Sequence, residues 1–274
     1  MGFKSDPDKT LEQMSEEDNS EEEKRRAFLL MGVPGTGKTK ALSTINDDEK
    51  AIEFDFDDKG DCLDPQVKSG QILKINLGFS TKTYKQTYNK TKDILISLRD
   101  RIDEFQWSQI DSLTNFYALL DAMGNETFPQ AKDVWNRFDW IDVEFWNLLY
   151  ACVAATKNVV LTSHESYKDK EGVISKVLPV ARKALSEALP GRFKETYHAV
   201  TYGGGGNVSY GWETKPNEAY GCNTLIANLP FQVPNHYDLL LSTDWTSLKD
   251  EKEPVDVAIK AYEARTKRKI TNWS

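Results

Sequence analysis

One octet narrows the folds open to this chain more than any other feature. Gly32-Val33-Pro34-Gly35-Thr36-Gly37-Lys38-Thr39 follows at once on the apolar run 27–31 and leads into a stretch, 38–45, able to form a helix. A short run that is apolar throughout reads as a strand buried on both faces, as in a parallel sheet. The octet fits the spacing G-x-x-x-x-G-K-[ST]. Its glycines let the backbone curl until N–H groups face phosphate oxygens, and the helix behind adds its positive N-terminal end. Lys38 is placed to reach the β and γ phosphates, and the Thr39 hydroxyl to bind a magnesium ion. With Lys40 included, residues 32–40 are expected to bind a nucleoside triphosphate, ATP with Mg2+.

The rest of the chain alternates in the same style. Strands are expected at 51–56, 71–77, 105–111 and 158–162. Helical spacing appears at 88–102, through Ile94, Leu95, Leu98 and Ile102, then at Leu113, Phe116, Tyr117 and Leu120, and again over 139–156. A break is expected at 124–129. Strand–helix alternation implies right-handed crossovers and an α/β fold: a P-loop core with a mostly parallel sheet flanked by helices. The last third differs. Four consecutive glycines, Gly203 to Gly206, separate β-like segments at 196–202 and 208–213, which gives a β-rich C-terminal portion. Residues 1–24 are polar and include Glu21, Glu22 and Glu23, so they read as a disordered acidic tail. The expected organisation is that tail, a domain over 25–245, and a helical basic tail over 246–274 carrying Arg265, Lys267, Arg268 and Lys269.

Charge excludes one class of function. Against 35 Lys and Arg stand 43 Asp and Glu, a net −8, which argues against coating nucleic acid by bulk charge. A local basic groove remains open, since counterion release depends only on the contacting lysines and arginines. Cys62, Cys152 and Cys222 are far apart and form no CxxC, so reduced thiols are expected rather than a disulfide framework or a zinc site. No window has the apolar length of a membrane span, and the N-terminus is no signal peptide. A cytoplasmic location is expected, of a cell or of an infected host.

A P-loop enzyme needs an Asp at the end of a neighbouring strand to hold magnesium. Asp111 stands at such an end; the plainer reading makes it a helix N-cap. Hydrolysis also needs a group to orient or deprotonate water. Glu53, Asp55 and Asp57 alternate along 51–57, and Asp57, nearest the C-terminal end, is favoured because open α/β sheets bind ligands there. A solvated acidic strand end is the alternative. His164, with Glu165 behind it, closes the strand at 158–162 and is a candidate γ-phosphate sensor; the alternative is a satisfied structural histidine. The expected catalytic set is therefore Lys38, Asp57, Asp111 and His164, with Thr39 and Asp111 on the metal.

Together the octet, Ile110-Asp111-Ser112-Leu113-Thr114 and Leu161-Thr162-Ser163-His164-Glu165 resemble phage-encoded RecA-like ATPases. Those proteins are described as phage nucleotide-binding or AAA-type ATP-binding proteins, and some group with single-strand annealing and recombination proteins. The likeness spans roughly residues 26–245 and includes the acidic strand 54–58. It implies a RecA-type core, ATP hydrolysis with magnesium, self-assembly into a homo-oligomeric ring or filament, and contact with single-stranded DNA alongside phage recombination or replication proteins. DNA would be met on loops after the Asp111 and His164 strands, about 121–138 and 165–180. These contain Lys132, Arg137, Lys168, Lys170 and Lys176, with Trp135, Phe138 and Tyr167 as stacking surfaces. Two features depart from the family: an Asp at position 57 where a Glu is usual, and no clear arginine finger, although Arg182, Lys183, Arg192 and Lys194 are candidates. Two other functions stay open. One is a P-loop motor or helper ATPase working on protein or duplex DNA. The other is a nucleotide-dependent assembly protein with little hydrolysis.

Overall fold

The computed structural model describes residues 26–78, 83–99, 104–170, 173–204, 207–217, 219–271 and 273. The acidic tail expected at 1–24 lies outside them. The first elements are β1 (Arg26–Met31), α1 (Lys38–Ala41), β2 (Ala51–Asp55), α2 (Asp64–Ser69), β3 (Ile72–Asn76) and α3 (Tyr84–Arg99). Then come β4 (Trp107–Asp111), α4 (Leu113–Thr127), α5 (Val134–Ala155) and β5 (Asn158–Ser163). A two-stranded ribbon follows, β6 (Glu165–Lys170) with β7 (Val173–Pro179), and then α6 (Lys183–Ala188). The last elements are β8 (Glu195–Gly204), β9 (Asn207–Glu213), β10 (Gln232–Pro234), α7 (Tyr237–Ser242) and α8 (Pro254–Thr266).

Eight strands form one sheet in the order β10-β9-β8-β1-β5-β4-β2-β3. From β8 to β3 every neighbouring pair is parallel; β8–β9 and β9–β10 are antiparallel. This is the α/β, mostly parallel architecture expected, with the β-rich C-terminal portion as its antiparallel edge. The Gly203–Gly204 end of β8 pairs with the start of β9, at Val208 and Asn207; Gly205 and Gly206 lie outside the described residues. Strand β5 is inserted between the P-loop strand β1 and the Asp111 strand β4. The C-terminal ends of β1, β5, β4 and β2 therefore lie side by side at one rim.

Each sheet face has its own core. One packs α3, α4 and α5 through residues such as Leu95, Phe116, Leu120, Ile141 and Phe145 against Leu29, Phe54, Ile110 and Leu161. The other packs Phe28, Trp107, Tyr197, Trp212 and Tyr237, with Trp107 and Tyr237 ring centroids 4.7 Å apart and Trp212 and Tyr237 4.9 Å apart. Offset aromatic contacts of this kind add to plain area burial. Ala258 and Tyr262 of α8 are buried in this second core, and Arg268 donates to the Ile45 carbonyl at 3.1 Å. The stretch expected as a basic tail at 246–274 thus closes the core beneath the P-loop.

Several local expectations are corrected. The helix after the octet is one turn of α-helix, Lys38–Ala41, continued by a 3-10 turn, Leu42–Thr44. It supplies less dipole than a long helix would. The expected break at Gly124 is helical to Thr127, because a glycine there lets α5 come close: a Cβ would lie 3.0 Å from an Ile141 side-chain carbon. Helix α5 starts at Val134 rather than 139, so most of segment 121–138 is helix rather than loop. Segment 165–180 is the β6–β7 ribbon.

Candidate functional site

The octet leaves β1 at the rim, and packing requires two of its glycines. A Cβ on Gly32 would sit 2.5 Å from the Ala199 carbonyl oxygen, so only glycine lets β8 run this close. Gly37 has φ +77 and a Cβ there would be 2.7 Å from Asn235 Nδ2. Gly32 N donates to the Ser163 carbonyl at 3.2 Å, which ties the loop root to the end of β5.

Lys38 is buried. Its Nζ donates to the carbonyls of Gly32 at 2.8 Å and Val33 at 2.9 Å, and reaches Thr36 Oγ1 at 3.4 Å. Burial lowers its pKa, against the opposing charges of Asp111, Glu165 and Asp57. Its ammonium is thus held inside the curl of the loop, at the position where a phosphate would compete for it. Thr36 Oγ1 donates to the Val33 carbonyl at 2.9 Å and stiffens the turn.

Asp111 ends β4 and is 4% exposed. Thr39 Oγ1 donates to one carboxylate oxygen and Thr162 Oγ1 to the other. Burial raises its pKa, and the two hydroxyls work against that rise. The side chain faces Thr39 and Thr162, not its own helix: Ser112 is the N-cap of α4, and no side-chain cap bond is made there.

Asp57 lies just past β2. Its Oδ1 accepts from Ser112 Oγ at 2.7 Å and from Asn115 Nδ2 at 2.8 Å. Its Oδ2 faces His164 Nε2 at 3.6 Å. Asp55 is used differently. Its carboxylate accepts from the backbone N–H groups of Asp57, Lys59 and Gly60 and so shapes the turn after β2. Glu53 is deeper still, fully buried. The order along this strand therefore separates one acid at the rim from two that are enclosed.

These groups share one cavity of about 510 Å³, lined by residues 34–41, Thr44, Asp57, Lys59, Cys62, Asp111, His164, Tyr210 and Asn235. Gly32 and Val33 form its root; Lys40 is exposed at its edge. Glu165 is not among the lining. Its carboxylate turns away to His198 and Tyr167. The remaining expected residues lie elsewhere. Arg137 donates to Asn125 and stacks on Phe138, with its guanidinium carbon 5.0 Å from the ring centre. Lys132 is exposed before α5. Lys168, Lys170 and Lys176 are on the β6–β7 ribbon, and only their backbone is described. Arg182 pairs with Asp142 and lies over Phe138, while Arg192 lies over Trp146.

The sequence reading missed Thr162, Ser112 and Asn115 as partners of the two acids, and Tyr210 and Asn235 as cavity walls. Ser112 and Asn115 had a weak signal, since they follow Asp111 by one and four positions. Tyr210 and Asn235 had none, because they arrive from the antiparallel edge, and Asn235 Nδ2 meets the Gly37 carbonyl at 3.5 Å across 198 positions of chain.

The donor chemistry at Thr39 and Asp111 fits magnesium, which takes hard oxygens from one or two carboxylates and completes its shell with phosphates and water. No group of three or more His, Cys, Asp or Glu side chains that could hold a metal occurs among the described residues, so an all-protein metal cage is not what this site offers.

A family model described as an AAA domain matches residues 24–220, most of the chain and every wall of the cavity except Asn235. The chain belongs to this AAA domain family. The cavity therefore lies in a P-loop ATPase domain of the AAA type. No curated protein matches significantly. Among solved structures the AAA domain is similar to a KaiC-like protein from the hyperthermophilic archaeon Pyrococcus horikoshii OT3. Identity is 13%, coverage is 68% of this chain and 77% of that one, and the TM-score is 0.37. No helix among the described residues is long and apolar enough to cross a membrane.

Proposed function

We propose that this AAA domain binds ATP with magnesium, hydrolyses it, and couples the cycle to single-stranded DNA as a homo-oligomer in phage recombination, annealing or replication. The observation that carries the reading is the convergence of Lys38, Thr39, Asp111, Asp57 and His164 on one cavity from four separate strand ends.

Lys38 would exchange its loop carbonyls for the β and γ phosphates. Thr39 and Asp111 would hold magnesium, which when bound would neutralise charge on the phosphate oxygens. Asp57, with Oδ1 fixed by Ser112 and Asn115, presents Oδ2 beside His164 Nε2, where it would orient a water and take its proton. An Asp here is one methylene shorter than the Glu usual in the family, and slow turnover is the expected consequence. His164 lies between Asp57 and the start of β6, where a change at the γ phosphate would reach the ribbon. The base end of the nucleotide would meet Tyr210 and Asn235, an aromatic face beside an amide.

For DNA, the support is the ribbon register and the surface near it. Lys168 stands directly opposite Lys176. Lysines at facing register positions suit a phosphate backbone, whose charge they would meet. Trp135, 72% exposed, adds a stacking surface close in sequence to Lys132.

The test is ATP hydrolysis with and without single-stranded DNA at low and moderate salt, with Lys38→Ala as control. Stimulation that fades with salt and vanishes in the control is expected. Hydrolysis indifferent to DNA would overturn the DNA half of the reading, and unchanged ATP affinity in Lys38→Ala would overturn all of it.

A further inference from the structure

A second polar cluster sits behind the phosphate end of the cavity, and the proposed chemistry does not use it. His198 on β8 is in register with Met31, the last residue before the octet. Its Nε2 is 2.9 Å from Glu165 Oε2 and its Nδ1 is 3.0 Å from Glu213 Oε2. The three side chains are 8%, 4% and 16% exposed, in the order His198, Glu165, Glu213. The ring of Tyr220 stacks on the imidazole at 3.7 Å, and the Tyr167 hydroxyl donates to the other oxygen of Glu165.

A neutral imidazole carries one N–H, whereas two carboxylate contacts call for both nitrogens to donate. Both contacts are made at once only when both nitrogens donate, as they do in an imidazolium. Lys38 and Glu165 attract one another from the cavity side. With His198 in that form, charges alternate from the cavity outward: Lys38, Glu165, His198, Glu213.

The problem this arrangement solves is the placement of Glu165. It follows His164 directly and opens the ribbon, so it stands behind the place where a triphosphate would end. An uncompensated carboxylate there would repel the phosphates. We propose that His198 is a positioning residue whose positive charge neutralises Glu165, so that an acidic ribbon anchor can sit beside a phosphate site. The inference rests on the nucleotide-binding reading above.

The experiment is a double-mutant cycle on Mg-ATP affinity, by calorimetry, in the full chain: wild type, His198→Gln, Glu165→Gln and both together. Thermal unfolding of each variant accompanies it. His198→Gln is expected to weaken binding about tenfold, Glu165→Gln to bind at least as tightly as wild type, and the double variant to recover most of the loss. Charge compensation is overturned if Glu165→Gln weakens binding as much as His198→Gln, because the tie itself would then matter. It is equally overturned if the double variant is as weak as His198→Gln. Should His198→Gln fail to fold, Glu165→Gln still decides, since weakened binding there contradicts the proposal. A wild-type chain that binds no Mg-ATP would instead sink the nucleotide reading and this inference with it.

Discussion

Asp111 and Glu53 lie on the same face of neighbouring strands, one pleat apart, and their fates differ. Glu53 is in register with Gln109, two residues before Asp111. Both acids are buried, and burial pushes both upward in pKa; for Glu53 the charges of Asp111 and Asp55 push it further. Asp111, at the rim, has a hydroxyl on each carboxylate oxygen and opens on the cavity. Neither Glu53 oxygen has a well-formed hydrogen bond; the Gln109 amide beside it eases the charge only in part, and it also donates to the Thr39 carbonyl at 3.5 Å. Tyr237 OH, buried in the same core, is also unpartnered. The same residue class is therefore a hydrogen-bonded, cavity-facing group at the strand end and an enclosed one two residues inside. What separates them is access to partners and ligand, not intrinsic acidity.

The largest way to break this contrast is Asp111→Asn. It keeps the shape and removes the charge that would hold magnesium, so turnover should fall by about 10²–10³-fold, measured as steady-state ATP hydrolysis. A variant that retained more than a third of wild-type turnover would reduce Asp111 to a structural acid like Glu53.

Asp57→Asn sharpens the comparison along one strand. It should lower kcat by about 10²-fold with little change in KM, as expected for a lost water-positioning group. Asp55→Asn should instead lower the unfolding midpoint, costing about 1–3 kcal/mol, because three backbone N–H groups lose a charged acceptor. Equal loss of turnover in both variants would show that the two acids are not divided in this way.

The smallest effect is expected from Glu53→Gln, near 1 kcal/mol or less at neutral pH, with turnover retained. Its signature is the pH dependence. The folded pKa of Glu53 lies well above the ordinary 4.5, so above pH 4.5 the unfolded chain releases this proton before the folded one does. The folded state then holds more protons, and stability falls as pH rises towards the folded pKa. Glu53→Gln should flatten that fall in urea unfolding between pH 5 and 8. A slope unchanged by the substitution would mean that Glu53 is not the acid responsible.

Much of the site was legible because it is local. The octet requires its own glycines, lysine and threonine at fixed spacing, and an apolar run beside it could only be a buried strand. Asp111, Asp57 and His164 could be picked out because strands 105–111, 51–56 and 158–162 end there, and the ends of parallel strands meet at one rim. The sequence of 165–180 suggests a loop because its few apolar residues alternate weakly among lysines and aspartate. Gly124 suggests a break because only the neighbouring helix gives a glycine there a reason to stay helical.

By itself the sequence determined a P-loop on a parallel sheet, the lysine and threonine that P-loop chemistry calls for at Lys38 and Thr39, and a short set of acids at strand ends. Tertiary structure alone decided which partners each acid meets. The choice among Glu53, Asp55 and Asp57 depends on Ser112, Asn115, the turn at Lys59–Gly60 and the closed core around Glu53, all contributed by other strands and turns. It also decided that Tyr210 and Asn235 wall the cavity and that Glu165 faces His198. Those contacts join residues far apart in the chain, and no local spacing records a distance that only the sheet order sets.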